Sequence, residues 1–361
     1  MKKVIALLTL LYFTNGKAQL GIDNLDKHPD IKTNGVYVVL NDTTSATNKM
    51  YWRTFKTWWT YSPVMFAPYA NLQAYIKPNT YFFSFIRNHG YQTGKYSPNW
   101  EADYSSSLTL WLYKGKKAPT DFNKDEFVNG DTYRHISLLG HADLFSTEKQ
   151  AYYKGNYREN GEPHLPKQLF YNAENNEVSY LYFNLNEGLL KNYLQCLSMY
   201  AAQPNGFNHG DFVDNEKLEA LKHDTLFIPD FVFTVYALTA ASPDVPVLAD
   251  KQTTKAALAK EKLNIKNTFL KYKHPYKVIT AQELSDKLMQ STKPFYYLTY
   301  TVNYGAKSLT ILSSQNGAVL YTTYSTKGER DGFKDVITDK VREIKLEPQD
   351  INVLVDKMET K

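Results

Sequence analysis

The sequence predicts an α/β protein, with a mixed sheet, built from two tandem copies of one strand-helix-strand-helix-strand-hairpin-helix unit. Three observations carry that prediction. Residues 61–85 (YSPVMFAPYANLQAYIKPNTYFFSF) read as an earlier copy of residues 273–300 (KHPYKVITAQELSDKLMQSTKPFYYLTY). In both copies a Pro precedes a short apolar strand (64–67 and 277–279), and Leu72 and Ile76 then match Leu284 and Leu288 at the four-residue spacing of one helical face. A further strand closes each copy, and Asn316-Gly317 between two apolar runs is a strong hairpin signal in the later one.

The chain opens with Lys2 and Lys3, an apolar run over residues 4–13, and small residues at Gly16 and Ala18. This pattern reads as a secretory signal peptide over residues 1–18, cleaved before Gln19. The run is too short to span a membrane, which takes roughly 20 residues. Removing Lys2, Lys3 and Lys17 takes three charges from a formal +5 and leaves +2. No Lys/Arg run is dense enough to track nucleic acid, and the near-neutral mature chain makes no case for an anionic membrane surface. With a single Cys an intramolecular disulfide is excluded; Cys196 shares a helical face with Tyr193, Leu197 and Tyr200 and reads as buried. Export leaves the mature protein in the periplasm or outside the cell.

In order, residues 19–33 read as a polar arm or short helix and residues 36–40 as a buried strand. Positions 51, 52, 55, 58 and 59 repeat at three and four, giving an amphipathic helix over 48–59 with an aromatic, core-facing stripe. The repeated strand and helix follow, then a strand over 81–86. The later copy continues through a strand at 295–302 into a hairpin, 308–312 with 318–324. Two stretches of the first unit resemble that hairpin. Ser107-Leu-Thr-Leu110 echoes Ser308-Leu-Thr-Ile311 over four residues, whereas residues 168–183 follow it through both strands and the turn at one offset. That register continues into a helix, where Leu190, Tyr193, Leu194 and Leu197 recur as Phe333, Val336, Ile337 and the neighbourhood of Val341. The longer register is preferred, so the first unit spans 19–205 and residues 88–167 become an insertion between adjacent strands.

The second unit spans 206–361. It begins with a polar linker at 204–217 and a short helix at 218–221, followed by a strand at 224–228 that takes the place of 36–40. Residues 231–241 are an apolar strand or covered loop, 253–269 a helix carrying Leu258, Ile265 and Phe269 inward, and 351–358 a closing helix that parallels 218–221.

The segment 88–167 is aromatic, with Trp100, Trp111, Tyr133, Tyr152, Tyr153 and Tyr157 as candidate binding residues; the whole chain has 29 Tyr. Tyr and Trp offer rigid amphipathic contact area at low entropic cost. His135, His141 and Asp143 have metal-ligating chemistry in a spacing that matches no metal motif. Asp121-Phe-Asn123-Lys-Asp125 starts like a calcium loop but has Glu126 where the sharp turn needs Gly and Thr132 where the bidentate Glu belongs. Asn208, Asp211 and Asp214 have the spacing of ordinary Asx turns. The carboxylates Glu101 and Asp103 carry no catalytic signature by themselves. No nucleophile elbow, zinc-protease helix, dinucleotide fingerprint or P-loop occurs, so no catalytic residue and no cofactor is assigned.

Through PYKVITAQELSDKL (residues 275–288), where an apolar strand leads into a Glu-Leu helix, each unit resembles in outline the small α/β domains of envelope proteins such as the TolB amino-terminal domain and the curli secretion protein. The chain departs from them in lacking a lipid-attachment Cys. The resemblance implies a non-enzymatic scaffold that docks partners in the envelope. The expected function is thus an exported, soluble binding or scaffold protein that contacts a protein or glycan partner through 88–167. The alternatives are a secreted hydrolase with an acid/base pair in that segment and a purely structural envelope protein, the last being favoured if the segment packs as core.

Overall fold

The computed structural model describes residues 19–93, 99–117, 135–145, 151–153, 155–156, 182–208, 210–233, 236–241, 265–303, 306–325 and 342–360. The first unit opens with β1 (Leu20–Ile22), a 3-10 turn (Leu25–Lys27) and the short helix α1 (Asp30–Asn34) before β2 (Val36–Leu40). Ser45 caps α2 (Ala46–Trp58) by accepting from Asn48 N–H, one of the donors a first helical turn leaves unpaired. β3 (Val64–Pro68), a 3-10 helix (Tyr69–Tyr75), β4 (Thr80–Thr93), β5 (Asn99–Tyr113) and β6 (Ile136–Leu144) follow. Beyond them lie two short strands, β7 (Ala151–Tyr153) and β8 (Gly155–Asn156), and the helix α3 (Glu187–Ala201).

The second unit repeats the pattern. β9 (Phe212–Val213), α4 (Asn215–Glu219) and a 3-10 turn lead into β10 (Leu226–Pro229), with β11 (Tyr236–Ala241) after it. Then come β12 (Tyr276–Ile279), α5 (Ala281–Gln290), β13 (Tyr296–Asn303), β14 (Ala306–Ser313), β15 (Val319–Ser325), β16 (Arg342–Ile344) and α6 (Pro348–Glu359). The capping box of α5 forms in full: Thr280 Oγ1 accepts from Glu283 N–H at 3.1 Å while the Glu283 carboxylate accepts from Thr280 N–H at 2.7 Å. The earlier copy has Pro68 in the capping place and winds as a 3-10 helix, yet Leu72 and Ile76 are buried there as Leu284 and Leu288 are in α5.

The two sheets are wired alike. Sheet one runs β3-β2-β4-β5-β6-β1 and sheet two β12-β10-β13-β14-β15-β9. In each, the two central-to-edge pairings that need a crossover are parallel (β2 with β3 and β4; β10 with β12 and β13), and the strands joined by hairpins are antiparallel. Even the irregularities correspond, since β5/β6 shifts register at Leu110/Trp111 and β14/β15 at Ile311/Leu312. In a third, small sheet β11 pairs with β16 and with β7, tying residues 151–153 to the second unit.

This wiring corrects the expected alignment of the hairpin. The four-residue echo is the true one: Ser107 to Leu110 lie in β5 and Ser308 to Ile311 in β14, the same strand of each sheet. Residues 168–181 and 326–341, on which the longer register rested, lie outside the described residues. Residues 88–167 are therefore not an insertion on a complete scaffold. They contain most of β5 and all of β6, whose Leu108, Leu110, Trp111, Leu112, Ala142 and Leu144 are buried in the core. Two further expectations shift. The arm at 19–33 and the linker at 204–217 each contribute an edge strand (β1, β9), and the helix at 218–221 precedes the first strand of its unit, as α1 does, so its counterpart is not the closing helix.

One continuous core joins the units, with α3 at the junction. Eleven of its positions are buried, including Asn192 and Ser198 as well as the expected Tyr193, Leu194, Cys196 and Leu197. Its first turn touches α5, where Gly188 N–H donates to Ser285 Oγ at 3.0 Å and a Cβ on Gly188 would come within 2.5 Å of Ser285 O. Further along, Asn192 accepts from Tyr297 OH at 2.8 Å and donates to Ser314 O at 3.2 Å, while Tyr200 OH accepts from Val319 N–H at 3.3 Å. A buried amide among apolar side chains is tolerable because it is paired on both ends. The turn between β14 and β15 comes so close that a Cβ on Gly317 would lie 2.4 Å from Asn192 O, and its φ of +72° is one that glycine adopts at no steric cost.

Candidate functional site

Where the two sheets differ is the hairpin between β4 and β5. In sheet two, Thr299 stands opposite Thr310, 11 residues on, and Asn303 opposite Ala306, so the turn is two residues long. In sheet one the matching pairs are Ser84 with Thr109, 25 residues on, and Asn88 with Ser105, so the first unit carries 14 more residues in this place (25 − 11). They prolong the two strands. β2 pairs with β4 only at Tyr81, Phe82 and Phe83, and β6 reaches along β5 no further than Ser106. Beyond, the hairpin continues as a ribbon to the pair Thr93·Trp100, with β8 beside its end at Asn99 and Trp100. Seven residues of strand at about 3.4 Å each give a reach of roughly 20 Å.

Register sorts the ribbon into two unlike faces. Cross-strand partners share a face and successive residues alternate. The pairs Tyr104·His89, Ala102·Tyr91 and Trp100·Thr93 therefore lie on one side, and Ser105·Asn88, Asp103·Gly90 and Glu101·Gln92 on the other. One side is aromatic and uncharged apart from the histidine, whereas the other is polar and carries both carboxylates. Glu101 and Asp103 are thus neighbours on one face of a strand.

The predicted binding residues separate. Trp100 stands at the end of the ribbon; Tyr152 and Tyr153 lie in β7, paired with Ala240 and Ala241 of β11. Tyr133 and Tyr157 fall outside the described residues. Trp111 is removed from any contact surface by its burial. It is fully enclosed, stacked on Phe82 with ring centroids 4.2 Å apart, and its Nε1–H donates to Ser84 Oγ at 2.8 Å. Of the metal candidates, His135 is exposed and meets the Tyr113 ring edge-on, while His141 and Asp143 sit two apart on β6, opposite Thr109 and Ser107. Among the described residues no group of three His, Cys, Asp or Glu is placed to hold a metal ion. Asp214 is used as the cap of α4, accepting from Lys217 N–H at 3.2 Å and Lys217 Nζ at 2.6 Å.

A second aromatic surface escaped the sequence analysis. On α2, Tyr51, Phe55 and Trp59 are buried as expected, but Trp52 and Trp58 are only partly covered. Lys56 Nζ lies 5.6 Å from the Trp52 ring centre and Lys191 Nζ 4.5 Å from that of Trp58. Lys191 also donates to Leu288 O at 2.6 Å, and burial pulls its pKa below the usual lysine value. The i,i+4 pair Trp52 and Lys56 was visible in the sequence, whereas Trp58 and Lys191 meet only through the packing of α2 and α3.

Between the sheets lies a buried polar group of side chains. Gln19 Nε2 donates to Thr299 Oγ1 at 3.0 Å, and Asn184 bridges Phe145 N–H (2.7 Å) and Asp143 O (3.0 Å). Burial raises the Tyr193 pKa against the opposing pull of Thr299 and Asn184, and burial alone pushes up the Cys196 thiol. These shifts disfavour ionisation, so they describe structural groups rather than a poised base or nucleophile.

No helix among the described residues is long and apolar enough to cross a membrane. No family model, curated protein or solved structure matches the chain.

Proposed function

We propose that this is an exported protein of the cell envelope that works by binding, and that the ribbon formed by residues 87–93 and 99–105 is the part that meets its partner, a protein. The observation that carries the proposal is the ribbon's two-faced register, with Tyr91, Trp100 and Tyr104 on one side and Glu101 and Asp103 on the other. A two-stranded hairpin is marginal in water by itself and gains order when an aromatic face is covered. The repeat supplies its own control, because the second unit closes the same hairpin with two residues. Export follows from the leader-like residues 1–18, and the scaffold role agrees with the duplicated sheet.

The test replaces residues 89–104 with Tyr-Gly, the turn of the second unit, and compares this variant with the full chain by cross-linking in the native cell, purification and mass spectrometry. A stoichiometric protein partner captured by the full chain and lost from a variant that keeps its circular dichroism spectrum is the expected result. Retention of the partner by the folded variant, or no partner with either chain, overturns the proposal.

A further inference from the structure

Gln19 is the first residue used by the fold and the residue at which the leader pattern ends. Its carbonyl accepts from Asp143 N–H at 2.8 Å and extends the β1–β6 ladder by one residue. Its side chain reaches the other unit, with Nε2 donating to Thr299 Oγ1 at 3.0 Å. The residue has 0% of its surface exposed, and Oε1 is buried without a hydrogen-bond partner. Cleavage before Gln19 would place a free α-ammonium at this point, adding a positive charge and three N–H donors to the two of the amide. Burying an unpaired cation costs far more than burying a neutral amide.

We propose that Gln19 is a modification site and that the mature chain begins with pyroglutamate; this rests on the export reading above. The α-amino group, whose ordinary pKa of about 8 leaves part of it uncharged at neutral pH, attacks Cδ of its own carboxamide. An N–Cδ bond forms, the Cδ–Nε2 bond breaks, and ammonia leaves with the proton given up by the amine. No oxidant, reductant or second reactant enters. The five-membered lactam that results is neutral and keeps one N–H and one C=O. That is a polar inventory a water-poor site with the Thr299 hydroxyl, which can donate as well as accept, is better able to satisfy than an ammonium beside a primary amide. Closure of the ring belongs before β1 docks, while the amine is still in water.

The experiment is mass spectrometry of the N-terminal peptide and of the intact protein purified from the exported fraction of its native cells. The expected peptide starts at residue 19, is lighter than open glutamine by one ammonia, and resists stepwise N-terminal sequencing until pyroglutamyl aminopeptidase is added. A peptide that starts at residue 19 with open glutamine overturns the modification and leaves the export reading standing. A chain that starts anywhere else overturns both.

Discussion

Replacing Trp111 with alanine decides whether the centre of the 88–167 segment is scaffold or appendage. The side chain is fully buried, its ring lies 4.2 Å from that of Phe82 with 13° between the planes, and its Nε1–H occupies the Ser84 hydroxyl at 2.8 Å. Truncating a buried aromatic to alanine costs about 3–5 kcal/mol. Leaving the buried Ser84 hydroxyl without its donor adds about 1 kcal/mol. The expected loss is therefore on the order of 4–6 kcal/mol, a large share of the 5–15 kcal/mol typical of a whole domain. Trp111→Phe keeps a ring on Phe82 and loses the N–H and part of the volume, for about 1–2 kcal/mol. Equilibrium urea unfolding followed by far-ultraviolet circular dichroism measures both, comparing midpoints at unchanged slope. A Trp111→Ala variant within about 0.5 kcal/mol of the parent, as for an exposed substitution, would refute the placement of β5 in the core and return the ring to the surface.

Two further predictions concern the junction of the units. Gly188→Ala puts a methyl group 2.5 Å from Ser285 O and 2.7 Å from Ser285 Cα, both backbone atoms, so α3 and α5 must separate. Overpacking of this kind costs about 1–3 kcal/mol, and an unchanged thermal midpoint would show that the two helices do not meet at Gly188. At high pH the buried tyrosines govern stability: burial pushes Tyr200 up to about 12 and raises Tyr193, Tyr297, Tyr300 and Tyr321 from 10.0 as well. The folded state prefers the neutral phenol, so their contribution is complete below the unfolded value of 10.0 and falls away as pH rises through the folded values. Thermal midpoints should decline from about pH 10 upward, and a flat profile accompanied by ordinary phenolate titration of the folded protein would contradict the burial.

The duplicated sheet was legible because its signals are local. Thr280 and Glu283 sit three apart whatever surrounds them, Val36 to Leu40 is apolar without interruption, and Leu72/Ile76 and Leu284/Leu288 keep the spacing of one face in a 3-10 helix and an α-helix alike. The hairpin misled for a physical reason. Apolar alternation has a period of two, so any two strands flanking a polar turn can be laid over each other for many residues, whereas Ser107-Leu-Thr against Ser308-Leu-Thr marked the same buried strand in only a few. The edge strands β1 and β9, three and two residues long, are too short to show any period, and form because β6 and β15 offer them a partner.

The candidate surface divides the same way. The sequence by itself determined which residues are aromatic, where the leader-like segment ends, and that one strand-helix-strand unit occurs twice. Only the tertiary structure decided that Trp111 is enclosed between Phe82 and Ser84, that Tyr91, Trp100 and Tyr104 share one side of a ribbon, and that Gln19 reaches Thr299 across 280 positions of chain. Alternation along a strand says that neighbours point to opposite faces. Which face is covered depends on what the other strands and helices bring against it, and that information is held by contacts between residues far apart in the chain.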